Sequence, residues 1–146
     1  MVFTLTAGGN DILSLQAAPD EIIFRIQTSV NRLISVYTNS YVIVGTVYDP
    51  TDGIGDLFED RPPLIQELQY LNKVNQAIRN LTGPRISVAD IYTHFLGHGT
   101  HCKDSGHSYY HPEDPKSWYM MNIEPNVRGA QEVCKLFEEA LNKILK

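Results

Sequence analysis

Two groups of residues in this chain have the types and spacing to do chemistry. The first is Gly8-Gly9-Asn10-Asp11, which follows the apolar positions Val2, Phe3, Leu5 and Ala7. Paired glycines let the backbone turn sharply and approach a ligand closely. An amide set at the carboxyl end of a buried strand can donate hydrogen bonds to a substrate oxygen. The same tetrapeptide is also ordinary turn chemistry. The second group lies between Thr93 and Ile123, where no helical or strand period persists and where all five histidines fall: His94, His98, His101, His107 and His111. A loop of that length inside a compact domain is usually functional or disordered. Within it, His94, His98, His101 and Cys102 raise the idea of a metal site built from imidazole and thiolate. Their spacing matches no standard zinc finger, and Gly97 and Gly99 oppose the continuous helix that would align His94 with His98.

The elements that must position these groups follow from hydrophobic periodicity. The opening segment to Ala7 reads as a buried parallel strand. From Pro19 onward, Ile22, Ile23, Ile26, Val30, Leu33, Ile34 and Tyr37 recur at helical spacing, with Asp20 and Glu21 in the first turn where the helix dipole favours negative charge. The run from Tyr41 to Tyr48 is β-branched and aromatic on both faces, as a central parallel strand requires. The loop from Asp49 to Arg61 leaves the carboxyl end of that strand, which puts Asp49 on the same rim as Asn10. A second helix follows Pro62-Pro63, with Leu64, Leu68, Leu71, Val74, Ile78 and Leu81 on one face and Gly83-Pro84 as its stop. Ile86 to Tyr92 reads as a third strand. Asn126 is the expected cap of a final helix with Ala130, Val133, Cys134, Phe137, Ala140, Leu141 and Ile144 as its buried stripe. Strands alternating with long crossovers predict an α/β chain with three layers, helices on both faces of a short parallel sheet of about three strands. The first strand is too apolar for a guarded edge, so its free side is expected to pair, for instance with a second copy of the chain.

Composition narrows the partners. The chain has 146 residues, of which 42% are hydrophobic and 20% charged, the profile of one globular domain over residues 1–146. A net charge of -5 gives no electrostatic case for nucleic acid or an anionic membrane surface, and a small neutral substrate fits better. The longest apolar stretch is too short to cross a bilayer. No basic leader or cleavage pattern is visible at Met1-Val2-Phe3, so the default expectation is a cytoplasmic location. Cys102 in a polar loop and Cys134 on a helix stripe read as two lone thiols.

Gly8-Gly9-Asn10-Asp11 after an apolar strand resembles the Gly-x-Asn-Asp block of the SGNH, or GDSL-type, hydrolases. The resemblance continues through Tyr41 to Pro50, Leu71 to Asn75 and Glu124-Pro125-Asn126-Val127-Arg128-Gly129-Ala130, in the family's order and over most of the chain. It implies a flavodoxin-like fold that starts at the family's third strand, truncated at the N-terminus, and a serine esterase or lipase activity on a small-molecule ester, with no cofactor. Asn10 matches the family's oxyanion-hole asparagine and Gly8 the glycine before it. Gly9, Asp11 and Asp49 then lie where substrate would bind, with His111 beside them. Two departures stand out. The Gly-Asp-Ser nucleophile block is absent, and Asp104-Ser105-Gly106 sits in the histidine-rich loop rather than after a strand. The closing Asp-x-x-His becomes Met121-Asn122-Ile123-Glu124, so Glu124 stands at the position of the base. A relocated base is then expected from the loop, with Glu124 orienting His98, or His111 as the second choice. Each of these also reads as a surface loop histidine. A chain so equipped is expected to be nearly inert alone, and a non-catalytic binding module or a histidine-loop metal protein are the alternatives.

Overall fold

The computed structural model describes residues 1–146. Its core is a three-stranded parallel sheet, β1 (Val2–Leu5), β2 (Tyr41–Gly45) and β3 (Ile86–Ala89), in that spatial order. The register sets Thr4 opposite Ile43 and Ile43 opposite Ser87. β2 is central, and Val42, Ile43 and Val44 are at most 1% exposed, which accounts for its apolar character on both faces. β1 is an edge strand with Val2 and Thr4 exposed.

Alternation along β2 divides the core. Val42 and Val44 face one cluster, built with Ile12 of α1 (Gly9–Ser14), Ile22, Ile26 and Val30 of α2 (Pro19–Val36), and Leu71, Val74 and Ile78 of α3 (Ile65–Arg79). Ile43 faces the other, with Ala89, Ile91 and Phe95 of α4 (Ile91–Phe95), Trp118, Tyr119, and Ala140 of α5 (Val127–Ile144). Helices thus cover both faces of the sheet. No helix is long and apolar enough to cross a membrane.

Several boundaries differ from the periodicity, each for a local reason. The first strand stops at Leu5, and Gly9 to Ser14 forms a short helix where only a turn is expected. The second strand ends at Gly45, opposite the last residue of β3; the Thr46 amide still donates to the Ala89 carbonyl at 3.0 Å, and the Thr46 hydroxyl donates to Asp90 Oδ1 at 3.0 Å and accepts the Tyr92 amide at 2.8 Å. Asp90 also caps α4 and takes two bonds from the Arg79 guanidinium, so Ile91 and Tyr92 belong to a helix and not to the third strand. Inside the supposedly irregular segment, β4 (Tyr119–Met120) pairs antiparallel with β5 (Glu124–Pro125). Asn126 caps α5 by accepting the Gly129 amide at 3.0 Å.

On α5 most of the expected stripe packs as read, with Val133, Phe137, Ala140, Leu141 and Ile144 on the cluster around Phe95 and Trp118. Cys134 and Ala130 are exposed, while Glu132 is buried at 6% exposure. Its carboxylate bonds His94 Nε2 at 2.7 Å and Arg128 at 3.0 Å, an arrangement that allows a charge to be buried against α4. Cys102, in the histidine segment, is buried, and both cysteines are free thiols. Arg85 performs the C-terminal capping of α2, its guanidinium donating to the carbonyls of Tyr37 at 3.2 Å and Thr38 at 2.7 Å.

The residue that ties the layers to the rim is Asn75, fully buried on α3. Its Oδ1 accepts the Val47 amide at 2.7 Å and its Nδ2 donates to the Val47 carbonyl at 2.8 Å, so the amide replaces the strand partner that the chain loses after Gly45. Asn75→Ala leaves both groups unpaired and is expected to lower stability by roughly 2–3 kcal/mol. Urea denaturation checks this, and an unchanged midpoint would show that the bonds are dispensable.

Candidate functional site

A cavity of about 390 Å³ opens at the carboxyl ends of β1 and β2, where ligands bind in open α/β sheets. Its floor is the turn from β1 into α1. Gly8 makes that turn possible: it sits at φ +101°, and a Cβ there would lie 3.0 Å from Ile22 Cγ2. Gly9, Asn10 and Asp11 follow on the lining. Asn10 is exposed at the mouth, its backbone oxygen held by the Ser14 hydroxyl at 2.7 Å. Asp11 pairs with Arg25 at 3.1 Å. Leu57, Leu64, Leu68 and Leu71 supply an apolar wall with Val47, and Tyr48, Ile123 and Glu124 complete the lining.

The structure therefore brings together Gly8, Gly9, Asn10, Asp11, Asp49 and Glu124 around one space. Asp49 has little left to offer a ligand. Its carboxylate is buried and accepts the Thr51 amide at 2.8 Å, the Thr51 hydroxyl at 2.7 Å and the Gly53 amide at 2.8 Å. It organises the loop rather than presenting a free acid.

His98 and His111 do not border the cavity, which corrects the roles expected of them. His98 is 4% exposed, stacked on Trp118 with centroids 3.5 Å apart and on His111 at 4.7 Å. Its Nδ1 is 3.2 Å from the Lys116 carbonyl, and burial holds its pKa below the usual 6.5. His111 Nε2 donates to the Leu96 carbonyl at 3.1 Å and its Nδ1 faces Glu113 at 3.2 Å. Glu124 orients neither ring. His94 pairs with Glu132 and His101 with Asp56, so the histidines and Cys102 diverge, and no group of three metal-binding side chains converges anywhere. The flanking glycines serve packing: a Cβ on Gly97, at φ +88°, would lie 1.8 Å from the Tyr109 carbonyl oxygen.

The residue that organises this loop is Asp52. It is 1% exposed and accepts the amides of Gly97, Gly99 and His101 at 2.8, 3.0 and 3.0 Å. Burial raises its pKa, and the three amides pull it back. Asp49 and Asp52 together tie the loop after β2 to the histidine segment. The Asp-Pro-Thr-Asp-Gly composition signals a side-chain-stabilised turn, but nothing local to it points to residues more than forty positions away. Tyr119, packed edge-on against Tyr48 at 5.5 Å, has a buried hydroxyl without a partner, and burial pushes its pKa well up.

No protein-family model matches the chain, and no curated protein matches it. The cavity lining contains no serine, cysteine, histidine, lysine or arginine. It offers an amide, backbone groups around a left-handed glycine, an apolar wall and carboxylates.

Because the folded-state pKa of His98 lies below its ordinary value of 6.5, the stability from its neutral, stacked form is complete above that value. It is lost progressively as pH falls below it, since the unfolded chain takes up the proton more readily. His98→Gln is expected to flatten this slope between about pH 6.5 and 5; denaturation midpoints followed by circular dichroism across that range check it.

Proposed function

We propose that this chain is an ester-binding domain of the SGNH/GDSL hydrolase type, which holds a small ester through Asn10 and does not hydrolyse it unaided. The observation that carries this reading is the meeting of Asn10, the Gly8 turn and Glu124 on one cavity that is apolar on its other side. Asn10 and Gly8 supply donors where a carbonyl oxygen would be polarised, and the leucine wall receives the acyl or alcohol portion. The α/β architecture, with helices on both faces of a parallel sheet, agrees with a flavodoxin-like scaffold of this kind.

Hydrolysis needs a nucleophile and a base, and the lining holds neither a serine nor an imidazole. Thr46 and Thr51, the buried hydroxyls there, are committed to Asp90 and Asp49. Loss of a nucleophile and base together costs on the order of a millionfold in turnover. A purely non-catalytic binding module is the second reading, favoured by the burial of His98 away from the cavity.

Purified protein is expected to hydrolyse an activated acetate ester at the background rate. Hexyl acetate is expected to shift the backbone amide resonances of Gly8, Gly9 and Asn10, and Leu68→Trp, which fills the wall, abolishes the shifts. Asn10→Ala weakens this binding about three- to tenfold, the value of one lost hydrogen bond; unchanged binding would favour the plain binding module. Turnover well above background that Asn10→Ala abolishes would overturn the claim of inertness.

A further inference from the structure

The charge around the cavity is one-sided. The titratable carboxylates on its lining are Asp11, Asp49, Glu67 and Glu124, and no basic side chain faces it. Two of the four are already used: Asp11 by Arg25, and Asp49 by its own turn. Glu67, half-buried on α3, and Glu124, exposed on β5, have no ion-pair partner. A concave, partly apolar site focuses the field of such charges on whatever enters it. The field is felt on the lining itself, where Glu124 adds to burial in holding the Tyr48 phenol protonated.

Such a rim repels carboxylate, sulfate and phosphate ligands. It also opposes the build-up of negative charge on a carbonyl oxygen near Asn10 unless the ligand brings a compensating cation. The leucines of the same lining, Leu57, Leu64, Leu68 and Leu71, favour a hydrocarbon portion on the same molecule.

We propose that the cavity selects an ester bearing an ammonium head, the cation drawn in by the unpaired carboxylates Glu67 and Glu124 and the hydrocarbon packed on the leucines of the lining. This rests on the ester-binding reading above and narrows its ligand class.

The test uses three probes of equal chain length on the full chain: hexyltrimethylammonium, hexyl acetate and hexanoate, each titrated while the Gly8 and Gly9 amide resonances are followed. The cation is expected to bind three- to tenfold more tightly than hexanoate, the range available from partly exposed ion pairs, with the margin shrinking in high salt. Glu67→Gln and Glu124→Gln together are expected to erase that margin, with the circular dichroism spectrum and the amide resonances outside the cavity reporting that the variant is folded. If hexyl acetate binds but the cation shows no advantage over hexanoate, or keeps its advantage in the double variant, the ammonium assignment is overturned and the ester reading stands. If none of the three perturbs the cavity amides, both are overturned.

Discussion

The rim of this molecule depends on one side-chain amide substituting for a missing strand. β1, β2 and β3 end together, at Leu5, Gly45 and Ala89, and the backbone at Val47 would be left with a half-buried donor and acceptor unmet. Asn75 meets both from a helix on the adjacent layer. The next residues, Tyr48 to Thr51, can therefore swing away from the sheet and form one side of the cavity while remaining fixed. Asp90 performs the corresponding service beside it, holding Thr46, Arg79 and the first turn of α4 with one carboxylate. Burial works against its ionisation, but the guanidinium and the two hydroxyls outweigh it and keep its pKa below the ordinary value.

The acids divide into buried ones that build the fold and more open ones that line the cavity. Asp49 and Asp52 spend their lone pairs on amides and a hydroxyl, and the loop rich in histidine is folded against them. Glu132 performs a similar task between α4 and α5, where the bond from His94, with help from Arg128, keeps its carboxyl below the usual range. The residues that look most reactive in composition are thus largely structural. The side chains free to meet a ligand are plainer: Asn10, Glu67, Glu124 and a leucine wall.

Much of the scaffold is legible from periodicity, because strands buried on both faces and amphipathic helices leave strong signatures. β2 and the stripes of α2 and α3 carry them, as does the cap at Asn126. The position of Gly8 to Asp11 at the end of a strand is legible for the same reason, since an apolar run followed by paired glycines has few other readings. What is not legible depends on contacts distant in sequence. Nothing near Asn75 announces that its amide closes β2. His98 between two glycines looks like a mobile ligand, and only the tertiary fold shows the ring sandwiched between Trp118 and His111. The burial of Glu132 on α5 depends on His94 and Arg128, and nothing in the helix pattern announces it.

That sandwich has an optical consequence. Trp118 is the chain's single tryptophan, and its indole lies flat against an imidazole on the opposite side of the sheet from the leucine wall. Emission from this indole responds to the charge of the imidazoles beside it, His98 stacked on it and His94 with its centroid 5.3 Å away, since a protonated imidazole in contact quenches indole fluorescence. The protein's intrinsic fluorescence is accordingly a gauge of the histidine stack, largely blind to events in the crevice.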